Sequence, residues 1–279
     1  MILNEFKKDI YSIKDDLAMS LIKARQCIDV DELQEFELAY NKVLELLEKA
    51  KIENKKIILE LESLANFIKI CAHFNYPPYY TITLEQMKQI SDMYSDFEKD
   101  KLSIEERVDN FFLEKCDVAY IRDKLYLKWK NGNKLSKRLK ILDESIQCFE
   151  KGFYAAAIPL LFSQLEGMIA DVKHTKGKMT GRDLKGYINS AFNTDLSGDI
   201  SFEDFLRKMY EEEIMVGFKH KEELNSNFGR HAIMHGRDVD YGTQQNYIKL
   251  ILFFDSVYER LIGSVQRKNW SSKNEEGIK

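Results

Sequence analysis

Two of the chain's five histidines and two arginines fall within Arg230-His231-Ala232-Ile233-Met234-His235-Gly236-Arg237. An arginine can fork onto a phosphate, and an imidazole with a pKa of ~6.5 can move protons at neutral pH. Together these groups suffice for metal-free cleavage of a phosphodiester. RNA is the natural substrate for such a set because its own 2′-hydroxyl supplies the nucleophile. On a straight helix Arg230 and His235 would point about 140° apart, from 3.6 residues per turn. They must therefore flank a cleft or meet across a subunit boundary, which makes a homodimer part of the expectation. The plainer account is a helix C-terminus at which cations meet the negative end of the dipole.

A second basic run, Lys173 to Lys185, contains Lys176, Lys178 and Arg182. With Arg237 these are candidates to clamp an RNA backbone; a solvated loop is the alternative. Gly177-Lys178-Met179-Thr180 is no phosphate loop, because Val172 stands where the leading glycine should be and Met179 follows the lysine. Residues 193–204 match part of a calcium loop, but Asn193 replaces the first aspartate and Asp204 the bidentate glutamate. A turn ending in a Ser201/Asp204 helix cap is preferred. His231 and His235 have zinc-ligand spacing, yet Ala232 sits where a catalytic glutamate would and no third ligand is evident, so no metal or cofactor is expected. Cys27, Cys71, Cys116 and Cys148 lack paired spacing and read as small core residues.

The elements that must hold these groups are helices. Three prolines and thirteen glycines in 279 residues leave little to interrupt them, so the fold class is all-α. Every glycine lies at or after Gly132, which suggests a helical scaffold or partner-docking region over 1–131, a helical domain over 132–270 and a frayed tail over 271–279. The first part carries 20 basic and 25 acidic residues and the remainder 22 and 21, so the first is the poorer candidate for touching nucleic acid. The overall charge of −4 gives no field that would recruit nucleic acid or an anionic membrane.

Apolar spacing predicts long helices up to Ile68 and a break at Asn75-Tyr76-Pro77-Pro78. A Thr83/Gln86 capping box then opens a helix to about Lys99, and Ser103/Glu106 another to about Lys130. A hairpin follows, with helices at about 135–150 and 153–172, and Pro159 predicts a kink or a later start near Ala157. Shorter helices are expected near 183–192, 202–215 and 220–235, the last stopped by Gly236, before a final helix from Thr243 to about Lys268. No charged-leader segment opens the chain and no apolar run approaches the ~20 residues of a membrane span, so a cytoplasmic protein is expected.

Arg230-His231-Ala232-Ile233-Met234-His235 resembles the motif of the HEPN superfamily, helical bundles whose ribonuclease members carry an arginine, a polar residue, a few further residues and a histidine. Ala156 to Gly167 is similar to the first core helix of such bundles, where an acidic residue often faces the motif; Glu166 would be that residue. The resemblance covers about residues 135–268. It implies that His235 acts as base or acid, that Arg230 stabilises phosphate charge, and that His231 orients the phosphate or completes the acid/base pair. Glu166 would hold a histidine or Arg230. It further implies a bacterial toxin or abortive-infection role, with a neutralising or sensing partner. The alternatives are a non-catalytic RNA- or nucleotide-binding module and a helical adaptor.

Overall fold

The computed structural model describes residues 55–276, with side chains through Leu261, apart from residues 80, 98, 133, 173–179, 193–200, 220–222, 225 and 227. The chain divides into two compact units, Met1–Ala65 and Asn66–Lys279. Residues 55–65 of the first are helical; the rest of its expected long helices lie outside the described residues. The second unit is all-α, and no strand occurs among the described residues. Position 131, where the glycine-free stretch ends, falls inside this second unit. Side chains from both sides of it are joined there: the buried Trp129 indole donates to Asp255 at 2.8 Å, and Arg122 pairs with Asp143 and Glu150.

The second unit begins on helix α1 (residues 66–73) and continues through α2 (Leu84–Ser91), α3 (Tyr94–Phe97), α4 (Lys101–Lys115) and α5 (Val118–Tyr120). A π-helical turn, π1 (Ile121–Tyr126), runs into α6 (Leu127–Asn131). The hairpin is α7 (Leu139–Glu150) and α8 (Tyr154–Val172). Then come α9 (Gly181–Ala191), α10 (Phe202–Lys208), a second π turn, π2 (Met209–Ile214), α11 (Arg230–Met234) and α12 (Gln244–Glu276).

Local chemistry sets most of these boundaries. Helix α1 ends because Asn75 adopts φ +58°, letting the Tyr76 amide reach the Cys71 carbonyl at 2.9 Å. Gly152 (φ +76°) does the same for α7, with Phe153 N–H donating to Cys148 O at 2.8 Å, and Gly236 (φ +70°) for α11, with Arg237 N–H donating to Ala232 O at 2.8 Å. Each is the left-handed cap that satisfies the last carbonyls of a helix. At the other ends, Thr83 and Gln86 form both halves of a capping box, and Ser201 accepts from the Asp204 amide at 3.1 Å.

Other boundaries differ from expectation. Helix α2 stops at Ser91, and α4 opens two residues before Ser103, because Asp100 accepts the Ser103 amide. That helix closes at Cys116; Asp117 then caps a new start, so the expected continuous run to Lys130 is divided. Of the helix expected over 220–235, the described residues form the five-residue α11; residues 223, 224 and 226 before it are not helical, and Ser226 Oγ accepts the Phe228 amide. Helix α12 extends to Glu276, past residue 268 and into the stretch expected as tail.

Helix α8 runs unbroken through Pro159 instead of starting late. Proline has no N–H to give the carbonyl four residues back, here that of Ala155. The Tyr241 hydroxyl supplies the missing donor at 2.8 Å, so the loop after α11 is moored to α8 at the point the proline leaves open. Gly242 sits so close that a Cβ there would lie 2.9 Å from the Ala155 Cβ. By length and composition α8 is apolar enough to cross a membrane, an exception to the expectation that no such run exists. In this fold it is a core helix: Ile158, Leu161, Phe162, Leu165 and Ile169 are buried, and it packs against α7 and α12. Helix α12 contributes Tyr247, Ile251, Phe253, Phe254 and Val257 to the same core.

Candidate functional site

Helix α8 presents Phe162 and Glu166 one turn apart, and the segment entering α11 meets both. Phe228 packs on Phe162 with ring centroids 5.8 Å apart, and two residues later Arg230 Nε lies 2.6 Å from Glu166 Oε1. Of the partners open to Glu166, it is Arg230 that pairs with it. Gly229 between them is buried, and a Cβ there would lie 3.3 Å from Val216 Cγ1 and 3.8 Å from the Glu213 carbonyl. Arg230 and Glu166 are both largely enclosed, with side chains 20% and 28% exposed. On another face of α8, Arg138 donates to Gln164 and Asp171, a second arginine fixed on the same helix.

His231 in α11 and His235 at its C-cap are four residues apart, so they lie along one side. The His231 and His235 rings are nearly parallel, 8° between planes and 6.3 Å between centroids. His235 is the C-cap residue, exposed, with its ring 6.2 Å from that of Phe218. His231 is half-buried; burial, then the neighbouring Arg230 charge, then His235 push its pKa below the ordinary histidine value, with Glu166 acting in the opposite direction. Arg230 thus pairs inward with Glu166 while His235 stands with His231, and His231 is the histidine that senses both charges of the pair.

A buried phenol in the neighbouring π turn carries no signal in the sequence pattern. Tyr210, in π2, is 1% exposed, and its hydroxyl has no hydrogen-bond partner among the described residues. Its ring is stacked on Phe253 of α12, 8° from parallel at 6.0 Å. Burial raises its pKa, Glu166 adds to the rise and Arg230 opposes it. In sequence Tyr210 is only another aromatic in an amphipathic run; the π turn that aims it is not visible there.

The other candidates are less closely placed. Arg237 follows Gly236 on the α11 cap and is half-buried. Arg182 is exposed in the first turn of α9, whose Lys185 reaches Glu211, next to Tyr210, at 3.3 Å. Lys176, Lys178 and most of the 193–204 segment lie outside the described residues. Among the described residues no group of three His, Cys, Asp or Glu side chains is placed to hold a metal ion, and Cys71, Cys116 and Cys148 are free thiols. A cleft of about 260 Å³ is bordered by Lys69, Asn75, Asp204, Lys208, Glu212 and Glu213, and by none of Glu166, Arg230, His231 and His235. No family model, curated protein or solved structure was found to match the chain.

Proposed function

We propose that the chain is a metal-independent endoribonuclease of the HEPN type, acting in the cytoplasm as a homodimer in a toxin or phage-defence role. The observation that carries this reading is the Arg230–Glu166 pair flanked by two parallel imidazoles, one of which, His231, has its pKa pushed below the ordinary histidine value by burial and the Arg230 charge. Neutral His231 accepts the proton of the 2′-hydroxyl, and the 2′-oxygen bonds to phosphorus. The 5′-oxygen leaves with a proton from His235, and a 2′,3′-cyclic phosphate remains. Arg230, oriented by Glu166, meets the charge that builds on the non-bridging oxygens. Arg237 and the basic run containing Lys176, Lys178 and Arg182 would hold the flanking backbone. His235 is exposed, so a second copy facing it can enclose the reacting phosphate.

Incubation of RNA with the wild-type chain in EDTA tests this. Cleavage should persist and should fall by ~10² to 10⁴ in His235→Ala with the fold retained. RNA binding without cleavage would make the chain a binding module, and identical behaviour of wild type and His235→Ala would leave a helical adaptor.

A further inference from the structure

We propose that the cleft between α1 and the continuous α10–π2 run binds a small amine with an apolar body, its ammonium held by Glu212 and Glu213. The proposal stands apart from the ribonuclease reading, whose residues do not border this cleft.

The two walls are apolar where they face each other. Phe67 of α1 meets Phe202 of α10 with ring centroids 5.9 Å apart, which joins the two helices. Beyond that contact, Ile68 and Ala72 on one wall and Phe205 and Met209 on the other, each pair four residues apart, line a space of about 260 Å³. Ile68, Phe205 and Met209 are buried and close the floor, and Ala72 has no side chain beyond its Cβ to fill the space. Pockets for drug-sized ligands start at about 300 Å³, so a smaller molecule suits this one.

The charges at the rim set the sign of the occupant. On the α10–π2 run the cations are committed: Lys208 pairs with Asp204 at 2.9 Å, and Arg207 reaches Asp204 and Glu211. Lys208 stands four residues from both Asp204 and Glu212, and Asp204 takes it. Across the cleft, the Lys69 ammonium lies over the Tyr94 ring at 5.4 Å. Lys249 has its ammonium over the Tyr76 ring at 4.7 Å, with Asp109, Glu105 and Glu213 around it. Exposed Glu212 and half-buried Glu213 make no hydrogen bond or ion pair among the described residues, so the unspent charge of the cleft is negative.

A phosphate or carboxylate ligand would meet like charge at that edge. A metal ion would find too few ligands, since no group of three His, Cys, Asp or Glu side chains is placed to hold one among the described residues. An organic ammonium answers both halves of the cleft: its N–H groups donate to the two carboxylates while its carbons cover the apolar floor. Met209 and Glu213 are one turn apart in π2, so head and body positions adjoin.

The probe is hexylammonium chloride, with hexanoate and 1-hexanol as probes of the same length and of negative or no charge. Each is titrated into the full chain at fixed ionic strength and followed by broadening of the probe's NMR signals. Hexylammonium should saturate, and should bind about tenfold or more tightly than either comparison probe, as for hydrogen bonds to a charged group. Glu212→Gln combined with Glu213→Gln should bring hexylammonium down to the level of hexanol, with the melting temperature kept. Ala72→Leu, which fills the cleft and keeps both carboxylates, should weaken hexylammonium by a similar factor; if that variant does not fold, the double glutamine variant decides alone. Equal binding of the three probes, a preference for hexanoate, or hexylammonium binding unchanged in the double variant would overturn the proposal. So would weakened binding in the double variant alongside wild-type binding in folded Ala72→Leu, which would place the amine on surface charge outside the cleft.

Discussion

Two clusters of buried charge share the second unit, and they are finished differently. Around Asp255, which is almost wholly enclosed, the Trp129 indole donates to one carboxylate oxygen at 2.8 Å and the Lys128 ammonium to the other at 2.7 Å. Lys128 also reaches Glu259 at 2.8 Å. Burial raises the Asp255 pKa, while Lys128 and Trp129 oppose that rise. Around Glu166 the only partner among the described residues is Arg230, whose Nε lies 2.6 Å from Oε1, and the two side chains stay 20% and 28% exposed. A closed network can serve only the fold, whereas an open one keeps part of its hydrogen-bonding capacity for something that arrives. That contrast, more than the density of charge, separates a structural cluster from a candidate site.

The contrast predicts opposite consequences for matched truncations. Asp255→Ala strips the Trp129 indole of its acceptor and Lys128 of its buried counter-charge, and should cost about 3 kcal/mol or more of stability, read by chemical denaturation. Arg230→Ala should lower RNA cleavage by about 10² to 10³, in line with loss of a group that stabilises developing charge. Its denaturation midpoint should move little, because Glu166 retains access to water. A large stability loss in Arg230→Ala together with normal stability in Asp255→Ala would erase the distinction.

Smaller effects sharpen it. Gly242→Ala drives a methyl into Ala155 beside the Tyr241 mooring and should destabilise by about 1–3 kcal/mol as overpacking, measurable as a lower denaturation midpoint; a neutral result would show that the loop yields. The smallest effect is that of pH. The folded pKa of His231 lies below its unfolded value of ~6.5, so between the two the unfolded chain binds more protons. Stability is therefore fully present above about pH 6.5 and declines as pH falls through the folded value. His231→Gln should flatten that decline in denaturation curves collected across the range. A decline unchanged in His231→Gln would assign it to other groups.

How much of this was legible follows from the range of each signal. Capping residues act within one turn, so Thr83, Ser201, Gly152 and Gly236 marked their boundaries in the sequence. Glu166 and Arg230 are 64 positions apart, and only the family resemblance suggested pairing them. The consequence of Pro159 required a remote donor, Tyr241, and a pattern confined to one helix could predict only a kink or a later start. Both π turns lie within continuous helical runs and carry no capping or breaking residue of their own, so Tyr210 left no local trace. The run of glycines beginning at Gly132 marked a change in loop composition, while the compact units part at Ala65. His235 drew attention through its spacing from Arg230, but the electrostatic neighbour of the arginine is His231.

The most direct measurement is end-group analysis of RNA exposed to the wild-type chain in chelator, with Arg230→Ala and His235→Ala as controls. Fragments ending in 2′,3′-cyclic phosphate, produced by the wild type and nearly absent with either variant, are the predicted result. Intact RNA, or fragments with 3′-hydroxyl ends formed equally by all three proteins, would contradict it.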